Sequence, residues 1–104
     1  MFKGTTPAIN LYIDTDLSLT GMAQIWVTIK PETGDPVNWV KSDLLIDDTE
    51  KKITLTLSQL ETLALASGKA QIQVRLLTND NKALATTICY FCISDVLKGG
   101  VISA

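Results

Sequence analysis

Residues 69–94 read KAQIQVRLLTNDNKALATTICYFCIS, and this stretch decides the class of fold. Ile72, Val74 and Leu76 alternate with polar side chains, which is the period of two typical of a β-strand with one buried face. The polar stretch NDNK after them predicts a turn. A second run of strand formers follows from Ala83 to Ser94, so the whole stretch predicts an antiparallel hairpin.

The same alternation recurs along the chain before this hairpin. Strands are predicted over Ala8–Ile13, Ala23–Lys30, Val37–Lys41, Leu44–Ile46 and Lys52–Leu57. Turn formers separate them, and no helical stretch is long enough to connect parallel strands. The sequence therefore predicts an all-β fold, an antiparallel immunoglobulin-like β-sandwich of about six to eight strands, with a barrel as the alternative.

One segment departs from the period of two. Ser58 and Glu61 have the spacing of a capping box, in which each side chain accepts a backbone N–H of the other residue. Apolar residues recur at helical spacing after it, so a short helix is predicted over about 59–66. Gly68 is predicted to end that helix.

Length and composition indicate one domain. The chain has 104 residues, of which 46% are hydrophobic and 19% charged, which is the balance of a packed globule. We assign residues 1–94 to a single β-sandwich domain. Residues 95–104 contain two glycines and no regular period, so this C-terminal tail either docks through its apolar side chains or stays flexible.

Charge and hydropathy exclude several classes of partner. Nine basic and eleven acidic residues are scattered along the chain and leave a net charge of −2, which argues against nucleic-acid binding. The first residues lack the apolar stretch of a secretory signal, and no apolar run approaches the ~20 residues that cross a bilayer. We expect a protein that is made in a cytoplasm and does not bind membranes.

The side chains of most common active sites are missing. The chain contains no histidine, which excludes Ser-His-Asp and His-based zinc chemistry. Cys89 and Cys92 have CxxC spacing, but they lie in a predicted strand and have no further Cys or His to complete a metal site. They are predicted to be reduced and to pack as small hydrophobes. We therefore predict no catalytic residue, no cofactor and no metal, and we read the small Asp clusters as turn formers.

Aromatic and apolar residues occupy faces that ought to be polar. Trp26 shares its side of a strand with Gln24 and Thr28, and the strand from Ile88 to Ile93 is apolar on both sides. One interpretation is a central strand that the second sheet and the helix cover on both faces. The other is a protein–protein surface.

Four segments together resemble small β-sandwich proteins from the tail regions of bacteriophages and prophages of Gram-positive bacteria. They are Phe2–Pro7, Ile25–Thr28, Gln71–Ala85 and Asp95–Ile102. The resemblance spans nearly the whole chain. The chain is similar in particular to the N-terminal domain of some upper-baseplate proteins. It implies a non-enzymatic tail or baseplate component, incorporated into a virion tail, that acts through contacts with other tail proteins or with its own copies.

Candidate interface residues follow from exposed aromatic side chains and from the tail. They are Trp26, Trp39, Tyr90, Phe91, Val96, Leu97, Val101 and Ile102. The alternative function is a small carbohydrate-binding module that stacks sugar rings on Trp26 or Trp39. An enzyme that uses only carboxylates is a third hypothesis.

Overall fold

A computed structural model describes residues 1–86 and 88–103 as two antiparallel β-sheets packed face to face, with one short α-helix. The predicted all-β sandwich is confirmed. The strands are β1 (Ala8–Tyr12), β2 (Gln24–Lys30), β3 (Val37–Val40), β4 (Leu45–Asp47), β5 (Lys52–Thr56), β6 (Gly68–Leu77), β7 (Ala83–Ala85) and β8 (Cys89–Ile93).

The large sheet has the order β3-β2-β6, and β7 and β8 both pair with the far side of β6. Its centre is the β2–β6 ladder. Three cross-strand pairs of this ladder point into the sandwich and are buried: Ile25 with Leu76, Val27 with Val74 and Ile29 with Ile72. The apolar residues that alternate in the sequence therefore form the buried face of β2 and of β6, as predicted.

The small sheet has the order β1-β5-β4 and covers the inner face of the large sheet. Ile53 and Leu55 of β5 are fully buried, because β5 is the central strand of three. Ile9 and Leu11 of β1 are only half-buried, although they lie on the same face as Leu55 and Ile53. The core is therefore less covered at the β1 edge.

The predicted helix is α1 (Gln59–Ala64), and its capping box is confirmed. Ser58 Oγ accepts the Glu61 N–H at 3.2 Å, and Glu61 Oε1 accepts the Ser58 N–H at 2.9 Å. The helix ends two residues earlier than predicted, because Leu65 is extended and almost fully buried in the core. Gly68 does not cap the helix; its φ of 122° lets the chain begin β6 beside Glu32.

Trp39 links the large sheet to the helix. It lies opposite Val27 on the inner side of β3, and 6% of its surface is exposed. Its indole N–H donates to Glu61 Oε2 at 2.7 Å. Hydrogen bonds from the Ser58 backbone and from Trp39 hold the pKa of Glu61 below its usual value, so the bond is to a carboxylate.

Trp39→Phe should lower the free energy of unfolding by about 2 kcal/mol, because it removes a charge-assisted hydrogen bond and leaves a gap in the core. Trp26→Phe is the matched control, since Trp26 is 44% exposed. It should cost no more than about 0.5 kcal/mol. Urea denaturation measures both values, and equal losses would contradict the role assigned to Trp39.

Candidate functional site

The two sheets are joined on one side of the sandwich. The chain passes from the edge strand β3 to the edge strand β4 through a 3-10 turn at Lys41–Asp43. Lys41 Nζ secures this crossing by donating to the backbone oxygens of Thr20 at 2.9 Å and Met22 at 2.7 Å. The chain itself joins the two sheets on this side, and a hollow of about 520 Å³ with Val40 and Leu45 in its wall remains beside the crossing.

On the other side, β1 is the edge of the small sheet, and β7 and β8 lie at the edge of the large sheet. A cleft of about 640 Å³ lies between these edges. Leu84 of β7 lines the cleft and is 41% exposed. Ile72 lines this cleft and also a second hollow of about 350 Å³, which extends toward Met1 and Phe91. Together these two cavities form an apolar opening into the core, lined by Ile9, Leu11, Ile13, Ile72, Val74 and Leu84.

The interpretation of the last strand as a central, doubly covered strand is wrong, because β7 and β8 lie at an edge. Ala85 lies opposite Arg75, whereas Cys89 lies opposite Ile72. The sequence therefore has three residues between Ala85 and Cys89 but only two between Ile72 and Arg75, which is one extra residue on the side of β7 and β8. An extra residue exchanges the positions that face the core. The two apolar faces in the sequence therefore come from a change of register.

The exposure of this edge follows from the same change. Before the extra residue, Leu84 faces the core. After it, Phe91 and Ile93 face the core. Ile88 remains 42% exposed and Tyr90 57% exposed. Cys89 and Cys92 form no disulfide, as predicted, but both are exposed, so the prediction that they pack as buried hydrophobes is wrong.

The N-terminal residues cover one end of this edge. The Met1 ammonium donates to the Cys92 carbonyl at 2.7 Å, Ser94 N–H donates to the Met1 carbonyl at 2.7 Å, and Lys3 N–H donates to the Ser94 carbonyl at 2.9 Å. Phe2 thereby bridges Ser94 in parallel. No described strand covers β7 or the first half of β8, so we call the described residues 83–86 and 88–91 the open edge.

The four aromatic candidates divide into two groups. Trp26 and Tyr90 are exposed on the outer face of the large sheet, and each contacts a cation: Arg75 Cζ lies 5.5 Å from the Trp26 ring centroid, and Lys69 Nζ lies 4.6 Å from that of Tyr90. Phe91 is half-buried against the core. The expectation of an exposed Trp39 is wrong, because β3 turns this residue inward.

The C-terminal tail docks through its backbone. Ile102 N–H donates to Gln59 Oε1 at 2.7 Å, and Gln59 Nε2 donates to the Ile102 carbonyl at 3.2 Å. The apolar side chains of the tail face solvent: Val96 is 39% exposed, Leu97 fully, Val101 51% and Ile102 79%. Docking by these side chains was one of two expectations, and the structure places the contact on the main chain instead.

The acidic residues divide into two kinds. Asp47 Oδ1 accepts the N–H groups of Thr49 and Glu50 at 2.9 and 3.2 Å, which is the predicted turn role. Asp48 instead binds the distant loop between β1 and β2: it accepts hydrogen bonds from Ser18 Oγ at 2.7 Å, Thr20 Oγ1 at 2.5 Å and the Leu19 N–H at 2.6 Å. These hydrogen bonds, those from Thr20 and Ser18 foremost, hold the pKa of Asp48 far below its usual value. Leu19 is fully buried, so this carboxylate also positions a core residue.

Neither metal sites nor membrane-spanning helices occur in the part of the chain that the structure describes. No three His, Cys, Asp or Glu side chains among residues 1–86 and 88–103 lie together in a way that could hold a metal ion. None of the helices in the same residues is both long and apolar enough to cross a bilayer.

No protein-family model, curated protein or solved structure matches this chain. The open edge is therefore the feature from which a function must be argued. The sequence offered residues 88–93 as a protein–protein surface, with Tyr90 and Phe91 as candidates, but it missed Leu84, because the register that turns Leu84 toward the cleft is set by pairing with β6.

Asp48→Asn should lower the thermal midpoint by several degrees at pH 7, and this difference from wild type should shrink in acid. The pKa of Asp48 is lower in the folded chain than the ~3.9 of an unfolded aspartate, so its stabilisation is complete above that pH. It is lost as the pH falls below about 4. Thermal unfolding followed by circular dichroism at pH 7 and pH 2.5 measures the effect.

Asp16→Asn is the matched control for this prediction. Asp16 lies in the same loop and is exposed, and it accepts no hydrogen bond from the described residues. The substitution changes the net charge equally. A loss as large as that of Asp48→Asn, or a loss independent of pH, would contradict the role of Asp48.

Proposed function

We propose that this protein is a non-enzymatic structural protein that assembles with other protein chains, its own copies included, through the open edge. The observation that carries the proposal is the cleft between two unpaired sheet edges, because it leaves apolar core residues in contact with solvent. An apolar opening of this kind is a liability on an isolated monomer and a common feature of association surfaces.

The composition of the open edge supports this role. Soluble β proteins usually protect an edge strand with charged residues or proline. Residues 83–94 contain neither a charged residue nor a proline. The open edge therefore lacks the usual protection of an edge strand.

A further strand would extend the large sheet at this edge. The Cys92 carbonyl already accepts a bond from Met1 on the outer side of β8. Alternate residues of a strand direct their N–H and C=O groups to the same side, so those of Tyr90 point outward as well. An added strand would bind these groups and place side chains over the cleft, which is the usual mode of strand addition.

The biological setting of the proposal is a bacteriophage or prophage tail, where the chain would be a tail or baseplate component. This part rests on the resemblance of the four sequence segments. Under this proposal the chain is made in the bacterial cytoplasm and then becomes part of a virion tail.

Leu84→Lys should weaken self-association at least tenfold, because the added ammonium would be buried without a partner when a second copy covers the cleft. Val37→Lys is the matched control: Val37 lies on the opposite edge strand and is 39% exposed, against 41% for Leu84. Sedimentation velocity over a range of concentrations measures the dissociation constant. A wild-type chain that stays monomeric to about 1 mM, or equal effects of both substitutions, would contradict self-association through this edge.

A further inference from the structure

The outer side of the large sheet has an unusual charge. None of its strands β2, β3, β6, β7 and β8 contains an aspartate or a glutamate. Lys30, Lys69 and Arg75 are exposed there, each at a position that alternates with a buried one. A chain with a net charge of −2 thus carries a face with three cations and no carboxylate.

These three cations lack ion-pair partners among the described residues. The salt bridges of those residues join Lys3 to Asp95, Lys51 to Asp48, Lys52 to Glu50 and Lys82 to Asp80. Lys41 donates to backbone oxygens instead. Glu32 borders the face, but it accepts the backbone N–H of Lys69 at 3.1 Å and forms none of these bridges. The face therefore keeps its positive charge.

Aromatic rings accompany the cations at two separated points of the face. Arg75 stacks on Trp26, and Lys69 stacks on Tyr90. Trp26 pairs with Arg75 across the sheet, and Tyr90 pairs with Gln71, four residues earlier in β6. Strand spacing and residue rise then separate Trp26 from Tyr90 by roughly 16 Å. A ligand that reaches both must be an extended chain.

Hydrogen-bonding groups lie between the two aromatic points. Thr28 and Gln73 form a cross-strand pair between these points, and Asn38 lies beyond Thr28 on β3. Beside Trp26 and Arg75 there is a hollow of about 120 Å³, with Leu77 and Ala83 in its wall. We name this surface, defined by Trp26, Lys30, Lys69, Gln73, Arg75 and Tyr90, the cationic face.

From the charge of this face and the spacing of its two aromatic rings we infer that the cationic face binds an extended acidic polysaccharide. The two exposed rings stack on sugar rings, the three cations pair with carboxylates of the polymer, and the amides and hydroxyl between them bind sugar hydroxyls. Trp26 and Arg75 lie on the opposite face of the sheet from the cleft-lining Leu84, so these two residues test the cationic face separately from the proposed assembly surface, with which it shares Tyr90.

Other polyanions fit the surface less well. Duplex DNA carries one negative charge per ~1.7 Å of its axis, which is far denser than three cations spread over the cationic face. A polyuronate carries one carboxylate per sugar and presents hydroxyls to the amides between the charges. An acidic peptide supplies the charge without the sugar rings that exposed tryptophan and tyrosine would stack on.

The test uses the full chain and polygalacturonate, titrated by calorimetry at low salt. Dextran tests a neutral polysaccharide, polyglutamate a polyanion without sugars, and an oligothymidylate a single-stranded nucleic acid. We expect polygalacturonate to bind more tightly than each of these and to weaken with salt. Trp26→Ala and Arg75→Gln should each weaken its binding at least about tenfold.

Tyr12→Ala and Lys52→Gln are the matched controls. Tyr12 is 68% exposed and lies opposite Lys52 on the outer face of the small sheet. Both substitutions should leave the affinity unchanged. Amide chemical shifts of the wild-type chain with polygalacturonate locate the site without any variant, and they should change on β2, β6 and β8.

Four outcomes would overturn the inference. The first is the absence of binding to polygalacturonate, and the second is equal binding of polyglutamate or oligothymidylate. The third is a set of shift changes outside the cationic face, and the fourth is an equal loss of affinity in the controls. Sedimentation of Trp26→Ala should match wild type, so failure of this inference is distinguishable from failure of the assembly proposal.

Discussion

The structure depends on the antiparallel ladder between β2 and β6. Seven consecutive residue pairs join these strands, although a 3-10 turn, three further strands and a helix separate them along the chain. Their alternation places three aliphatic pairs in the core. The same pairing places Trp26 beside Arg75 on the opposite face, so a single register determines both the core and the cationic face.

The two sides of the sandwich differ because the chain joins the sheets on only one of them. Where β3 continues into β4, a covalent connection and the hydrogen bonds of Lys41 tie the two sheets together. Where β1 faces β7 and β8, the core is covered only by partly buried side chains and by the three N-terminal residues bound along the end of β8. The proposed association uses the side on which the chain does not join the sheets.

Carboxylates in this chain serve the fold. Asp48 holds the β1–β2 loop and with it the buried Leu19, while Glu61 accepts both the Ser58 backbone N–H and the Trp39 indole. Each carboxylate satisfies backbone or side-chain donors that would otherwise lose hydrogen bonds on folding. Both sites tie a loop or helix to a sheet, which is how a small sandwich secures its connections.

The sequence by itself determined the β class, the hairpin of β6 and β7, the capped helix and the turn role of Asp47. These features depend on neighbours a few residues apart, and local patterns carry that information. Only the tertiary structure decided which strands lie at an edge, that Trp39 is buried and that Leu84 lines a cleft. Those outcomes depend on strand order and on one extra residue before Cys89, and both arise from pairing between distant parts of the chain.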